Sequence, residues 1–591
     1  MEVKLVEFLE KNSLALNGAI VALFLAVLFF SFSFEMADDL GFDFAGYAQR
    51  YNFAFSGWVK NVLGGVPADT FYPQVPSILP IALKAIGLGD FTLPVALSIL
   101  VFRLLLAASF VLVAQHFKVS KKTGLLIGLL FVLNPVIYNF LDRYYELASW
   151  TFFVVFFVSF YGLLKEKKFS NKLFLLSGIF AALSVLSSQT ALFFITISTL
   201  FLMTSKEDIK RLFLTGIFAA GLCAFWLLPF LYYLGLSVVS QTQGSLLQTP
   251  GIFYSSVFAI ALLGITAFLF WKRKTAQKRI LQLSTLAFFL ALIELLAPHL
   301  PLINKPFIHS YHVFFFFVLA FCWLSIIKEI RVNTKIVFGA FAVFTIILIV
   351  GHAKIIGQYV SPIPTFSTYM VDEKPLDFSD PDYFLKKIPI DAKYEVFPYD
   401  PVVSSYSSVH YGLTNLLGWG FNAVALKNGI DPDLKFSPEN TNCRDIEDLE
   451  KDFGLSHVIS LNEKAQAKLS ECQWNKAEQK GQVALFTSPN YDGKSLLVEN
   501  GELLEYGNNY VKVLARPPQT ILKINYFPLW KAYAEGKEIQ ITDKTPGMQV
   551  SVEKETTVEF KFENSLLENF SVAITFFTFI LGGFLAIRRL P

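Results

Sequence analysis

Acidic side chains cluster directly after the first long apolar run of the chain, in EMADDLGFDFAGYAQRYNFAFSGW, residues 35–58. Asp39 and Asp43 are four residues apart and Tyr47 follows at the same spacing, so a helix would place all three on one side. Carboxylates held at a membrane face are suited to act as a general base towards a group that the bilayer carries. The alternative interpretation is that these acids only solvate a loop after a membrane span.

Three loops between apolar runs carry the candidate functional residues. In the first loop, Asp38, Asp39 and Asp43 are the candidate catalytic bases. Candidates for binding a donor or substrate are spread over the three loops: Glu35, Arg50, Arg143, Tyr144, Glu146, Lys305, His309 and His312. A carboxylate would deprotonate an acceptor, and cations would stabilise a phosphate leaving group as its charge develops. The residue types therefore predict transfer from a lipid-linked phosphate donor.

Arg103 is a further binding candidate, because it lies near the middle of the predicted second span. A central arginine costs about 2.5–3.5 kcal/mol on insertion scales, so we expect its side chain to face the interior of the bundle. It could reach a lipid phosphate or a first-loop carboxylate. It could also be structural and pair with Glu294 or with backbone carbonyls, and both roles stay open.

The composition is that of a membrane protein. The 591 residues are 54% hydrophobic and 16% charged and include 63 Phe, and the mean hydropathy is +0.50. The apolar residues fall in runs of membrane-spanning length, which predicts a polytopic α-helical membrane protein. The formal net charge of +3 gives no indication of a nucleic-acid partner.

The apolar runs predict about twelve transmembrane helices. They lie at 14–34, 92–116, 123–140, 148–164, 173–187, 190–205, 212–233, 253–271, 281–297, 312–327, 336–352 and 566–587. Residues 76–89 are apolar but too short and proline-rich to span, so we expect an interfacial or re-entrant helix within the first outer loop, 35–91. The mixed charge of residues 1–11 and the lack of a following cleavage site predict a retained signal anchor.

Connections rich in lysine and arginine alternate with connections that carry few of either residue. The basic connections are 117–122, 165–172, 206–211, 272–279, 328–335 and the last residues of the chain. The positive-inside rule then places both termini in the cytoplasm and the three candidate loops outside. This divides the chain into a transmembrane domain (1–352), an extracytoplasmic domain (353–565), and a last span with a cytoplasmic tail (566–591).

Residues 353–565 differ in character, because charged residues and Pro and Gly turns return. Segments such as YEVFPYD, SHVISL, YVKVLA and TTVEFKF predict short strands, the last several typical of an antiparallel β-sandwich. Helices are predicted at 445–454 and 462–471, so the front half is α+β. Cys443 and Cys472 are 29 residues apart in this domain, and a disulfide between them is left open.

The chain resembles the GT-C superfamily of membrane glycosyltransferases. The likeness rests on the first span and GFDFAGYAQRYNFAFSGW, followed by a G-x-P turn at Gly65 and Pro67 and by YPQVPSILPIAL. Within that superfamily the chain is similar to membrane proteins labelled 6-pyruvoyl-tetrahydropterin-synthase-related and to the bacterial YfhO type. NPVIYNFLDRYYELASW resembles their second outer loop, and INYFPLWKAYAEGKEIQI, residues 524–541, resembles a segment of their outer β-domain.

This resemblance implies transfer of a sugar, with inversion, from a polyprenyl-phosphate donor to a glycan, lipid or protein acceptor. It also implies a first-loop aspartate as the base, and by position Asp43 fits one slot while Asp38 or Asp39 fits another. Glu146 matches a second-loop acid that in some relatives helps to bind a divalent metal. A Mg²⁺ or Mn²⁺ ion held by Asp43 and Glu146 is left open, and no other cofactor is implied.

The third loop departs from the pattern of the superfamily. Lys305, His309 and His312 stand where many relatives have an arginine. A neutral histidine is a poorer phosphate ligand than a fixed guanidinium, so donor binding by this loop is in doubt or depends on pH.

Two other classes of protein stay open. A transporter of lipid-linked sugars would need polar residues at mid-depth through the bundle, whereas charge within the predicted spans is nearly confined to Arg103. A non-catalytic membrane assembly protein, with the outer domain as a binding module, is the second alternative.

Overall fold

Apolar helices make up the first half of the structure, as the apolar runs predict. The computed structural model describes residues 2–4, 13–31, 75–88, 92–134, 144–188, 190–239, 279, 282–283, 285–287, 308–326, 331–333, 368–371, 374–377, 379–398, 403, 411, 413–415, 424–426, 436–507, 509–544 and 547–587. Its apolar helices are α1 (Ser13–Ser31), α2 (Ile78–Ala85), α3 (Thr92–His116), α4 (Lys121–Val132), α5 (Tyr144–Lys165), α6 (Asn171–Val185), α7 (Thr190–Leu202), α8 (Lys206–Leu222), α9 (Ala224–Tyr233) and α10 (Ile308–Ile326). The protein is a polytopic membrane protein.

Three of the described helices are long and apolar enough to cross a membrane: Leu93–His116, Glu146–Lys165 and Leu566–Ile587, the last of which is α14. A fourth span results if α8 and α9, bent by 85° at their junction, are taken together. Helices α6 and α7 have 15 and 13 residues, or roughly 20–22 Å, against about 30 Å of hydrocarbon. The runs 253–271, 281–297 and 336–352 lie largely outside the described residues, so the count of about twelve stays a prediction.

Helices α3 and α4 pack antiparallel with their backbones very close. A Cβ atom at Gly128 would lie 2.1 Å from the Ala107 carbonyl oxygen, and one at Gly124 would lie 2.6 Å from the Ala114 Cβ. Glycine at these positions therefore allows the approach. Counting one helical turn from the Gly128–Ala107 contact places the last turn of α4 beside Arg103.

Helix α5 lies at the centre of the bundle, where Phe153, Phe156, Phe157 and Phe160 are fully buried. It runs parallel to α3, since Thr151 Oγ1 donates to the Phe102 carbonyl at 3.3 Å and the His116 and Tyr161 rings are 5.2 Å apart. It also runs parallel to α10, because the ring pairs Phe153–Phe314 and Tyr161–Phe321 lie at 6.3 Å and 5.3 Å. The three helices therefore begin at the same end of the bundle.

The predicted span 212–233 is wrong as a single helix. The chain instead forms α8 and α9, which meet at Cys223 at an angle of 85°. In the first turn of α9 the amide of Phe225 donates to Thr575 Oγ1 of α14 at 2.9 Å. Pro229, within α9, has no N–H to bond to the carbonyl of Phe225. The break is thus stabilised by a partner from the other end of the sequence.

The domain at 353–565, predicted to lie outside, is called the outer region below. Its front half is a mixed sheet of order β10-β11-β9-β6-β7, in which β6 is parallel to β7 and β9. Its strands are β6 (Lys393–Phe397), β7 (Thr414–Asn415), β9 (Leu455–Ser460), β10 (Asn475–Lys480) and β11 (Val483–Thr487). The helices packed on it are α11 (Ser379–Leu385), α12 (Cys443–Phe453) and α13 (Glu463–Glu471). The two helices and the α+β character predicted for this half are confirmed. A disulfide joins Cys443 to Cys472, which closes α13.

The back half is a sandwich of two antiparallel sheets, as the alternating segments predict. The strand orders are β12-β15-β19-β18 and β13-β14-β20-β16-β17. The strands are β12 (Val498–Glu499), β13 (Gly501–Tyr506), β14 (Tyr510–Ala515), β15 (Gln519–Leu522), β16 (Trp530–Ala534), β17 (Lys537–Ile539), β18 (Thr542–Lys544), β19 (Gly547–Ser551) and β20 (Thr556–Phe562). Side chains of both sheets, among them Val513, Met548 and Phe560, form one core between them.

The sandwich is attached to the helical bundle through α9 and α14. The Tyr233 ring, at the end of α9, lies 4.8 Å from the Phe527 ring of the sandwich core. Strand β2 (Ser237–Val239) follows and pairs antiparallel with β8 (Val424–Leu426) of the outer region. At the start of α14 the Glu568 carboxylate accepts the Ser565 N–H at 2.8 Å, which fixes where that helix begins.

Lys393 lies fully buried where the mixed sheet meets the sandwich. Its Nζ donates to the carbonyl of Lys523, directly after β15, at 2.9 Å, and Ser456 Oγ donates to the Lys393 carbonyl at 2.9 Å. Burial, together with the positive charge of Lys523, lowers the pKa of Lys393 from 10.5 to about 7. The Lys393 side chain thus links the mixed sheet to the sandwich, and its buried amine is harder to protonate than one in water.

We predict that Gly128→Ala destabilises the bundle by about 1–3 kcal/mol, because its methyl group would meet the Ala107 backbone. Gly216→Ala, in the interior of α8, is the matched control: a Cβ there has nothing within 4 Å, and alanine favours a helix over glycine by roughly 0.5–1 kcal/mol. Thermal unfolding in detergent measures both. Equal stability of the two variants would contradict the close approach of α3 and α4.

The lowered pKa of Lys393 predicts that the outer region becomes more stable as pH rises from about 7 towards the unfolded-state pKa. In that window the unfolded state binds more protons than the folded state, so the free energy of unfolding rises with pH. Lys393→Met should remove this slope and raise the melting temperature most at pH 6. Melting curves of the full chain from pH 6 to 9 test it, and an unchanged slope in the variant would show that another group titrates.

Candidate functional site

A pair of serines marks one end of the bundle, where α5 begins and α6 ends. Ser149 Oγ donates to the Ser184 carbonyl at 3.1 Å, and Ser184 Oγ donates to the Ser149 carbonyl at 2.9 Å. These reciprocal bonds fix α5 and α6 as antiparallel neighbours. We call this end of the bundle, from the first turn of α5 to residues 186–188 after α6, the rim.

Glu146 lies at the rim, in the first turn of α5, and is half-buried. The N-terminal end of a helix favours a carboxylate, so its charge is stabilised there. The Ser149–Ser184 register places Glu146 at the level of Ser187, which with Ser188 ends the α6 segment. The rim therefore presents an acid close to a row of small hydroxyl side chains.

Arg103 lies deeper in the bundle and is 2% exposed, which confirms that it faces the interior. The contact of Phe102 with Thr151 places Glu146 about five residues, or roughly 7–8 Å, nearer the rim along the axis. Helical side chains lean towards the N-terminus of their own helix, which for α3 is the direction of the rim. The C-terminal end of α4, beside Arg103, is a second favourable environment for a cation. Glu294, the alternative partner, lies outside the described residues.

The segments that flank all three candidate loops meet at the rim. Asn134 and Tyr144, which bound the second loop, follow α4 and begin α5. Helix α10, which follows the third loop, begins at the same end as α5. Helix α3, which follows the first loop, begins at that end too, and Val75, within the first loop, packs against the cluster that contains Val185 and Leu186. The described segments next to the three loops therefore lie at one end of the bundle.

The opposite end of the bundle is basic. Arg211 donates to the carbonyls of Leu163 and Glu166 at the end of α5, and Arg279 contacts the Asp208 carboxylate at 2.9 Å. The outer region is attached at the ends of α9 and α14 away from these residues. The two ends therefore carry different chemistry.

Many of the candidate residues lie outside the part that the structure describes. These are Glu35, Asp38, Asp39, Asp43, Arg50, Arg143 and Lys305. Tyr144, His309 and His312 are helical in their backbone, in the first turns of α5 and α10, and nothing follows for their side chains. Among the described residues no group of three or more His, Cys, Asp and Glu side chains could hold a metal ion, and an ion at Asp43 and Glu146 stays a hypothesis.

Sequence reasoning missed the polar residues that line the rim: Ser149, Ser184, Ser187, Ser188 and Trp226. Trp226 packs in one cluster with Val75, Val185 and Leu186. The run SVLSSQT after a short apolar segment was the available signal, because serines close to the end of a span are more expected at a helix contact or a polar cavity than facing lipid.

Comparison with known proteins identifies the fold. No protein-family model matches the chain, and no curated protein matches it. Two cryo-EM structures of arabinofuranosyltransferase AftD from mycobacteria do match. One has a TM-score of 0.50 at 10% identity and covers 93% of this chain and 57% of that chain. The other, of a mutant, has a TM-score of 0.51 at 9% identity and covers 93% and 60%.

The class of the protein follows from the fold: it is a polytopic membrane protein with the fold of the matched AftD structures. The chain spans about three-fifths of the length of the AftD chains. At such low identity the match shows the fold alone.

We predict that Ser149 and Ser184 are energetically coupled, because their two hydroxyl groups lie 3.3 Å apart and share a hydrogen bond. A double-mutant cycle with Ser149→Ala and Ser184→Ala should give a coupling energy of about 0.6 kcal/mol, as for interhelical hydrogen bonds in membranes. Ser198, whose hydroxyl bonds to Phe194 within its own helix, is the control partner and should show no coupling to Ser149. Unfolding in mixed detergent micelles measures the cycle, and zero coupling for the first pair would contradict the contact.

Proposed function

We propose that the chain is a GT-C-type membrane glycosyltransferase. It moves a sugar, with inversion, from a polyprenyl-phosphate donor to an acceptor outside the cytoplasm. The observation that carries the proposal is the meeting at the rim of the segments flanking all three candidate loops, with Glu146 there and Arg103 beneath. The AftD-like fold supports the same assignment.

The proposed roles follow from the chemistry of each group. Asp43, or else Asp38 or Asp39, is the base that takes the proton of the acceptor hydroxyl. Arg103 stabilises the charge that develops on the leaving phosphate, since a buried guanidinium acts in a medium of low dielectric constant. Glu146 positions the substrate or, with Asp43, holds a divalent cation.

The remaining candidates serve the donor. His309 and His312 lie in the first turns of α10, at the rim, and Lys305 precedes that helix in the sequence. We propose that a cation among these side chains contacts the phosphate. Arg50, Arg143, Tyr144 and Glu35 are proposed as contacts of the sugar and the acceptor. These roles rest on chemistry and position in the chain.

The proposed orientation places the rim outside. The basic residues that pack around the end of α5, among them Arg211, are at the opposite end of the bundle, which the positive-inside rule assigns to the cytoplasm. The sandwich is attached near Tyr233, away from that basic end. Both termini are then cytoplasmic, and residues 353–565 face the acceptor.

We predict that Asp43→Asn and Glu146→Gln each lower sugar transfer by about 10²- to 10⁴-fold, the usual contribution of a general base or positioned acid. The assay uses purified protein in nanodiscs and a panel of polyprenyl-phosphate sugars. Glu207→Gln, an exposed acid at the basic end, is the control and should retain full activity.

Full activity of Asp43→Asn would show that Asp43 is not the base, and Asp38 and Asp39 would be the next candidates. If the wild-type protein transfers no sugar from any donor but moves lipid-linked sugar across vesicles, the enzyme assignment is wrong.

A further inference from the structure

The first turn of α9, directly after the break at Cys223, contains a buried side-chain donor, the indole of Trp226. The backbone N–H groups of Trp226 and Leu227 donate to the Cys223 carbonyl at 3.0 Å and 2.8 Å, and that of Phe225 donates to Thr575. The indole Nε1–H of Trp226 is buried, and it has no hydrogen-bond partner in the part of the chain that the structure describes. A tryptophan that is 4% exposed normally finds a partner for this group.

The position of Trp226 relates this donor to the rim. Its ring stacks on Phe230, with centroids 5.0 Å apart and planes at 18°, and it packs with Val75, Val185 and Leu186. Val185 and Leu186 directly follow Ser184, so the indole lies in the same layer of the bundle as the Ser149–Ser184 pair. Val75 belongs to the first candidate loop, 35–91. The indole donor therefore lies among described segments that flank the candidate loops or belong to them.

The chemistry of the group limits what it can bind. An indole N–H is a donor only, so its partner must offer a lone pair. A buried donor left unpaired has lost its hydrogen bond to water without a replacement, and a ligand oxygen that reaches it recovers that loss on binding. Helix α9 also begins here, and the N-terminal end of a helix favours a negatively charged oxygen.

We propose that the Trp226 indole N–H is a binding donor for an oxygen of the lipid-linked substrate at the rim. This inference rests on the proposed function, because it takes its ligand from it. The oxygen belongs either to the phosphate or to the sugar, and the two share the same acceptor chemistry. Trp226 is therefore a residue of the binding site that contacts the headgroup and leaves the proton transfer to the acids of the loops.

The test measures binding without transfer. Trp226→Phe keeps an aromatic ring to stack on Phe230 and removes only the N–H and part of the ring area. We expect undecaprenyl phosphate, titrated into the full chain in nanodiscs, to bind about five- to tenfold more weakly. The melting temperature of the empty protein should not fall by more than that of the control, because the lost donor has no partner there.

Trp150→Phe is the matched control. Trp150 is equally buried in the bundle, and its ring packs between Phe153 and Phe194, away from the cluster around Trp226. This variant should bind undecaprenyl phosphate like the wild type.

A second titration with an undecaprenyl-phosphate sugar separates the two oxygens. If Trp226→Phe binds both probes more weakly, the acceptor of the indole hydrogen bond is a phosphate oxygen. If it binds only the sugar-charged probe more weakly, the acceptor is a sugar oxygen. Unchanged binding of both in Trp226→Phe, or no binding of either probe by the wild type, overturns the proposal. Wild-type binding without transfer would leave this site standing and count against the enzyme assignment alone.

Discussion

In a bilayer, every backbone amide needs a partner within the protein, and this constraint is most visible where α8 ends at Cys223. The chain turns by 85° there, which releases N–H groups that a straight helix would pair. Thr575 supplies one partner from α14, 350 residues further along the sequence. The last helix is therefore part of the folded bundle and more than a tether, and the orientation of α9 depends on it.

The same region connects the bundle to the outer domain. Helix α9 carries Trp226 at the rim and Tyr233 in contact with the sandwich core. Gly221 and Gly582 let α14 approach closely, because a Cβ at either would meet Thr578 or Phe218. The packed pair of α9 and α14 thus extends from the rim to the sandwich. Contacts within the helical bundle therefore hold the sandwich in place relative to the rim.

The sequence predicted the elements whose signals are local. The alternation of apolar and polar residues predicts the strands from Tyr510 to Phe562. The free-energy cost of a guanidinium in the bilayer core predicts that Arg103 faces the interior of the bundle. The break at Cys223 could not be predicted, because the apolar run continues through it and its partner, Thr575, is distant in sequence. The depth of Arg103 relative to Glu146 likewise depends on contacts such as Phe102 with Thr151, which periodicity does not reveal. The candidate acids of the first loop lie outside the described residues and stay a prediction.

The bond between Cys443 and Cys472 bears on how the protein matures. It joins the start of α12 to the residue that ends α13, so two of the three helices on the mixed sheet are covalently linked on either side of the buried strand β9. Thiols are kept reduced in the cytosol of most organisms, whereas the compartments beyond the membrane oxidise them. The disulfide therefore supports the proposed extracytoplasmic position of this domain independently of the positive-inside rule. On that proposed side of the membrane, an oxidant must take up the two electrons that are released when the two thiols join.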